Sequence, residues 1–356
     1  MSRVRGYIAP RRLSFPLHPL PLLLTEIIPL GTASATPTRT RHLSACALRR
    51  QGRLLLFDCG EGTQYRLLEA GISRRLDAVF ITHLHGDHVY GLPGMLSTLG
   101  LMGRPEPITL VGPADLERVV RALPGLGVDD LPFALDFVAL EEGFAPGTVV
   151  YAQAGFSVTA QPLEHRIFCA GYRYEEAPRP GRLDAARARA AGVTAPADFE
   201  ALKAGRPVTA PDGRVLDPAE YVGPARPAPS FAYVLDTRPC DGGRALAQGA
   251  SLLLHEATFT QRHAARAVET GHSTARQAAE VARDAGARRL LLTHFSARYP
   301  DPAPLVEEAR RVFPSAEAAE ELRVYVLGEE GGKGKEGEEG EERKEGMGSA
   351  HETGDT

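Results

Sequence analysis

The chain has 356 residues, enough for one large domain or two ordinary ones, and 43% of them are hydrophobic, enough for a substantial core. A net charge of −4 neither demands nor excludes a nucleic-acid partner, because a basic patch can sit inside an acidic average. Cys46, Cys59, Cys169 and Cys240 have no C-x-x-C spacing, which argues against a zinc ribbon or a disulfide framework and for free thiols in a reducing compartment.

Residues 1–25 contain Arg3, Arg5, Arg11 and Arg12 and no acidic residue, and read as a disordered extension, with an organellar transit segment as the alternative to a cytoplasmic protein. No membrane span is readable, since the apolar run FPLHPLPLLL is short and broken by prolines. From Glu26, EIIPLG reads as a strand, followed by the Ser/Thr-rich loop TASATPTRTRHLS. RLLLFD is a buried strand, and CGEGTQYRLLEAG a loop and helix stopped by Gly71. LDAVFI is the next strand, and Pro93 starts a helix through GMLSTLGLM. ITLVG predicts a strand, ADLERVVRAL a helix and FSVTAQPLEH an alternating strand; FAYVLD and SLLLHE are two more strands. In STARQAAEVARDAG, Ser273 or Thr274 can cap a helix, Gln277 completes a capping box with Thr274, and Gly286 ends it. RLLLTH, PAPLVEEARRVF and LRVYVL then read as strand, helix and strand.

Strands alternating with helices in this way imply an α/β fold with sheet between helix layers, over residues 26–328. Residues 174–229, rich in Ala, Arg, Pro and Gly, look like an inserted arm. Residues 329–356, EEGGKGKEGEEG onward, are too poor in apolar residues to bury a core and read as a disordered tail.

One stretch carries the chemistry. THLHGDH places His83, His85, Asp87 and His88 within six residues, on the loop after an apolar strand, where sites collect in α/β sheets. His83 and His85, two apart on extended backbone, point to one side, and Gly86 lets the chain turn so that Asp87 and His88 face a second position. Imidazole and carboxylate without thiolate suit zinc or manganese. His165, Asp236 and His294 each end a predicted strand; one histidine there would be unremarkable, but three such residues beside the first motif are not. His18, His42, His263 and His351 are not needed as ligands, and Cys59 reads as a small buried residue. No serine-hydrolase elbow, P-loop or dinucleotide fingerprint is present.

THLHGDH, with His165, Asp236 and His294 in order, resembles the metallo-β-lactamase superfamily, whose fold is an αββα sandwich. FDCGEGTQ, HGDHVYGLPG, LHEATF, GHST and LTHFSARY narrow the resemblance to the short form of ribonuclease Z (tRNase Z), over about residues 25–328. The resemblance implies two zinc ions per subunit: His83, His85 and His165 on one, Asp87, His88 and His294 on the other, and Asp236 bridging. It implies Asp87 as proton acceptor for the attacking water, His272 near the scissile phosphate, Asp58 orienting a ligand histidine, and His255 and Glu256 supporting His272. It further implies precursor tRNA as substrate, a homodimer, and residues 174–229 as the exosite arm that grips tRNA. Arg39, Arg41, Lys203, Arg206 and Arg298 are the expected phosphate contacts. Three positions depart from the family pattern: His42 stands for asparagine, Ala195–Pro196 for a Gly-Pro turn, and Leu235 for glycine, a change tolerable where its side chain faces the core. A sister phosphodiesterase or arylsulfatase of the same fold, or an inactive RNA-binding module, are the alternatives.

Overall fold

Strands of three to seven residues build two seven-stranded sheets in the computed structural model, which describes residues 24–72, 75–122, 127–178, 180–226 and 228–327. The expected N-terminal extension and acidic tail therefore lie outside the described residues, apart from Leu24 and Thr25. One sheet runs in the order Tyr325–Leu327, Thr25–Gly31, Ala45–Arg50, Arg53–Phe57, Leu76–Phe80, Ile108–Pro113, Leu135–Leu140. Its strands are antiparallel up to Arg53–Phe57 and parallel from there on. The second runs Ala316–Ala318, Leu290–Thr293, Leu252–Glu256, Ser230–Val234, Ala170–Glu176, Phe156–Pro162, Thr148–Gln153, with its first four strands parallel.

The sheets meet over a shared core that includes Phe57, Phe80, Tyr172, Phe231 and Tyr233, with Phe57 and Phe80 stacked at 5.0 Å. Burying each such ring is worth about 1.5–3 kcal/mol, so this layer fixes how the two sheets face each other. The outer faces carry helices. Leu92, Leu96, Leu116 and Val120 pack on the first sheet, and the alanine stripe of Ala275–Asp284 packs on the second with Leu305 and Ala309. This is the expected αββα sandwich. Thr274 and Gln277 form the expected capping box. Leu235 is 2% exposed and belongs to the inter-sheet core, so its side chain needs no room in the loop that follows.

Residues 177–229 leave and rejoin the second sheet between two adjacent antiparallel strands, Ala170–Glu176 and Ser230–Val234. They have their own apolar cluster of Ala188, Val193, Leu202, Val208, Ala210, Leu216 and Tyr221. Helices Ala185–Ala190 and Pro196–Lys203 supply much of it, Pro196 opening the second from an extended Ala195. The insertion is thus a small folded unit, and it begins after Glu176, since residues 174–176 of the expected arm belong to the sheet.

Candidate active site

Five parallel strands end at one edge of the sandwich, and each delivers part of the site. Asp58 follows Arg53–Phe57, His83 follows Leu76–Phe80, Asp236 follows Ser230–Val234, Glu256 ends Leu252–Glu256, and His294 follows Leu290–Thr293. The backbone at Asp58, Asp236 and His294 is left-handed, with φ of 56°, 49° and 57°. That conformation is uncommon outside glycine, although Asp and His tolerate it better than most residues, and it turns each side chain back over the strand ends. His85 precedes the short helix Gly86–Val89, which carries Asp87 and His88. Gly91, just beyond, lets this segment press on the Cys59–Gly60 backbone: a Cβ there would lie 2.0 Å from the Gly60 carbonyl oxygen.

The seven expected ligands converge. His83, His85, His165 and Asp236 form one group, and Asp87, His88 and His294 a second, each with ligand atoms within 4.8 Å of one another. Asp236 stands between them. Its Oδ2 lies 3.5 Å from His83 Nε2 and 3.9 Å from His165 Nε2, and its Oδ1 lies 3.4 Å from His88 Nε2 and 3.1 Å from His294 Nε2. Asp87 Oδ2 sits 3.4 Å from His88 Nε2 and 3.5 Å from His294 Nε2, and accepts the Ala35 N–H at 2.8 Å.

Behind the ligands, two buried carboxylates set ring orientations. Asp58 accepts from Thr82 N–H at 2.8 Å, Thr82 Oγ1 at 3.0 Å, His88 Nδ1 at 2.7 Å and the Tyr233 hydroxyl at 3.0 Å. Glu256 accepts from Thr237 N–H at 2.6 Å, Ser273 N–H at 3.0 Å, Thr258 Oγ1 at 2.7 Å and His272 Nδ1 at 3.0 Å. Because the Thr258 hydroxyl donates to Glu256, it accepts from His294 Nδ1 at 3.1 Å. His165 donates Nδ1–H to the Gly271 carbonyl at 2.9 Å. In His88, His165 and His294 the outer nitrogen is thereby committed as a donor, so the neutral form of each ring presents its Nε2 lone pair to the site. Those three Nε2 atoms, with Asp236 Oδ1, are buried and have no hydrogen-bond partner among the described residues. Convergent imidazole lone pairs beside ionised carboxylates are what a divalent cation with nitrogen and oxygen ligands requires, so the residues fit the implied metal centre.

The charges follow from burial and neighbours. Burial pushes the pKa of His83, His85 and His165 down, toward the neutral form that binds metal. Burial opposes charge on His88 as well, but Asp236 and Asp58 outweigh it and raise its pKa well above the usual value. Burial works against an ionised Asp87, yet the His294 and His88 imidazoles beside it, 3.5 and 3.4 Å away, hold its carboxyl well below the usual range. At His272 burial is again overcome, here by Glu256, and the imidazole is raised to about 9.

Other expected site residues lie as follows. Arg39 is exposed on the loop, and Lys203 and Arg206 are exposed on the arm. Arg298, also exposed, lies 5.8 Å over the Phe259 ring, which is 6.2 Å from His272. His255 is buried and donates Nδ1–H to the Glu256 carbonyl at 2.7 Å, so it braces the strand end that carries Glu256. Arg41 departs from the expected phosphate contact. It is 7% exposed, lies 5.5 Å over the Phe295 ring and donates to the Tyr299 carbonyl. The cause is local: Thr38 Oγ1 accepts the N–H of Thr40 and Arg41 at 3.3 and 3.0 Å, a turn that sends Arg41 inward. Sequence reasoning also passed over Thr82, Thr258 and Tyr233, whose hydroxyls carry no signature of their own; the one available signal is Thr82 directly before His83.

Known proteins resemble the chain in sequence and fold. A profile of the anti-Pycsar protein Apyc1 matches residues 25–122, and a profile of the β-lactamase superfamily domain matches residues 206–295. Ribonuclease Z of Salinibacter ruber is 58% identical over 304 residues, 85% of this chain and 94% of that protein. Ribonuclease Z of Myxococcus xanthus is 44% identical over 285 residues, 80% of this chain and 91% of that one. The crystal structure of the short form of human tRNase Z superposes with a TM-score of 0.61 and 29% identity, over 84% of this chain and 98% of that chain. With the sandwich and the converging ligands in place, these likenesses settle its kinship: the chain belongs to the ribonuclease Z family of metallo-β-lactamase-fold hydrolases.

Proposed function

We propose that the chain is an endoribonuclease that removes the 3′ trailer from precursor tRNA, with two zinc ions per subunit that manganese can replace. The observation that carries this reading is the division of the Asp236 carboxylate between two histidine groups, which suits a pair of bridged cations. His83, His85 and His165 would hold one ion, Asp87, His88 and His294 the other, and Asp236 both. Bound there, such ions supply Lewis acidity, lowering the pKa of water toward neutrality and drawing charge off the phosphate. Asp87, ionised and held by the Ala35 N–H, orients the attacking water and accepts its proton. His272, charged at neutral pH, donates a proton to the departing 3′ oxygen. Water oxygen joins phosphorus as the bond to that oxygen breaks, leaving a tRNA 3′-OH and a trailer 5′-phosphate.

Arg39 and Arg298 would contact phosphates near the cut. On the arm, Lys203 and Arg206 are exposed cations that would grip tRNA at a distance. A homodimer belongs to the same reading. An apolar groove lined by Leu67, Leu68, Ile72, Met95, Leu99 and Met102 opens between helices Thr63–Glu69 and Leu92–Leu101, and Leu101 beside it is 91% exposed, as a surface awaiting a second copy would be. Among the described residues no helix is long and apolar enough to cross a membrane. A cytoplasmic location suits the four free, buried cysteines.

The test is a 5′-labelled precursor tRNA incubated with wild type and Asp87→Ala. Cleavage at one position near the end of the acceptor stem, lost in the variant, is expected. Absence of cleavage with either metal, while a small phosphodiester is hydrolysed, would move the protein to the sister hydrolases.

A further inference from the structure

The loop from Thr32 to His42 reaches the site through its backbone, and one carboxylate far along the chain closes its neck. Glu321 Oε1 accepts from Thr32 N–H at 3.0 Å, Thr32 Oγ1 at 3.1 Å and His42 N–H at 2.8 Å. Its Oε2 meets His42 Nδ1 at 2.8 Å and Arg66 Nη2 at 3.1 Å. Thr32 and His42 are the two ends of the loop, and the Ala33 N–H donates to the His42 carbonyl at 2.8 Å across the same neck. Five contacts on a side chain 10% exposed exceed what holding a loop to the surface needs.

Backbone strain marks both ends of this device. Ala35, whose N–H holds Asp87 Oδ2, has φ of 57°, and Leu322, beside Glu321, has φ of 67°. A non-glycine residue stays left-handed only where its surroundings over-determine it. At Leu322 the N–H donates to the Pro29 carbonyl at 2.8 Å and the side chain packs on the helix-side core, which aims Glu321 at the neck. At Ala35's end of the loop, the Ala33–Ser34 strand pairs with Phe295–Ser296, directly after His294.

We propose that Glu321 is a positioning residue for catalysis: by clamping Thr32 and His42 it forces Ala35 into the left-handed conformation whose N–H fixes the Asp87 carboxylate. The clamp rests on the reading of Asp87 given above. His42, which the sequence presents as a departure near the cut, is turned away onto Glu321 and acts here through the neck. Loss of the clamp lets Ala35 relax to negative φ, frees its N–H and leaves Asp87 less well aimed, with Lys203 and Arg206 on the distant arm untouched.

The experiment compares Glu321→Ala, Glu321→Gln and the double variant Glu321→Ala/Ala35→Gly in the metal-loaded full chain. Rates are read on precursor tRNA and on a small chromogenic phosphodiester, and amide exchange is read over residues 32–42. Misplacing a reacting group by about 1 Å costs on the order of 100-fold, so Glu321→Ala is expected to lose about 10- to 100-fold in kcat on both substrates with KM for the small phosphodiester unchanged. Exchange in the loop rises, and the milder Glu321→Gln, which keeps an acceptor for the Oε1 partners, falls between. Glycine adopts positive φ freely, so Ala35→Gly restores much of the lost kcat, as a merely structural role for Glu321 would not allow. Wild-type kcat and loop protection in both single variants overturn the proposal, as does a loss that Ala35→Gly leaves unrepaired. If Glu321→Ala does not fold, Glu321→Gln alone and with Ala35→Gly carries the same comparison. Exchange needs no substrate, so a failed clamp is distinguishable from a failed tRNA reading, in which the small phosphodiester alone is cleaved.

Discussion

Asp58→Asn is the sharpest probe of how the metal-facing nitrogens are set. Asparagine has the shape of aspartate and accepts the left-handed backbone, so φ of 56° at this position raises no new strain. Its oxygen can keep the Thr82 N–H, now 2.8 Å from Asp58 Oδ1, while its amide nitrogen replaces Oδ2, the atom 2.7 Å from His88 Nδ1. The Tyr233 hydroxyl can rotate and accept instead. His88 has no such freedom: to accept at Nδ1 it must carry its proton on Nε2, 3.4 Å from both Asp87 Oδ2 and Asp236 Oδ1. The proton then occupies the lone pair that a cation needs. A hydrogen bond to a charged partner is worth about 1.5–3 kcal/mol, which corresponds to roughly 10- to 150-fold in binding at that site. Loss of orienting partners of metal-bound histidines falls in the same range, about 10- to 100-fold. Chelator competition should therefore show one of two zinc ions bound this much more weakly, with circular dichroism unchanged and precursor cleavage reduced at limiting zinc. Full affinity for both ions and full activity in Asp58→Asn would refute the claim that Asp58 sets the His88 tautomer.

Three other expectations test neighbouring parts. Glu256→Gln removes the charge that outweighs burial at His272, so its pKa falls from about 9 and the alkaline limb of the kcat–pH profile moves to lower pH; an unmoved limb would exclude His272 as the proton donor. Because His88 is raised well above the usual imidazole value in the absence of metal, a binding cation must displace its proton; zinc affinity should rise with pH, with proton release detectable by calorimetry in buffers of different ionisation enthalpy, and pH-independent affinity would contradict this. Replacing residues 177–229 by a short turn should abolish precursor cleavage and spare a small phosphodiester, since the Glu176 N–H already meets the Pro229 carbonyl at 3.0 Å and the arm's apolar cluster is its own; survival of both activities would remove the arm from tRNA binding.

What was legible in the sequence divides along a physical line. The ligands were readable because their residue types are costly without a partner and four of them lie in one short stretch, with the others at the ends of apolar runs. The capping box of Ala275–Asp284 was readable for the same reason, its chemistry being local. The helix Gly86–Val89 was not, since four residues are too few for a period, nor was the strand Ala45–Arg50, which has no clear alternation in ACALRR. Glu321 was invisible because its meaning depends on His42, 279 residues away, and Ala35 because what it contributes is a backbone N–H. Arg41 misled because its direction is set by a turn through Thr38, against the simple expectation that a basic loop faces solvent. Backbone conformation points to the same places. Of six non-glycine residues with positive φ among those described, Gln51 occupies a hairpin turn, and Ala35, Asp58, Asp236, His294 and Leu322 all belong to the site or its clamp. Local preference yields where several distant parts of the chain must agree on the position of one atom, and those positions are the ones a reading of the sequence alone is least able to reach.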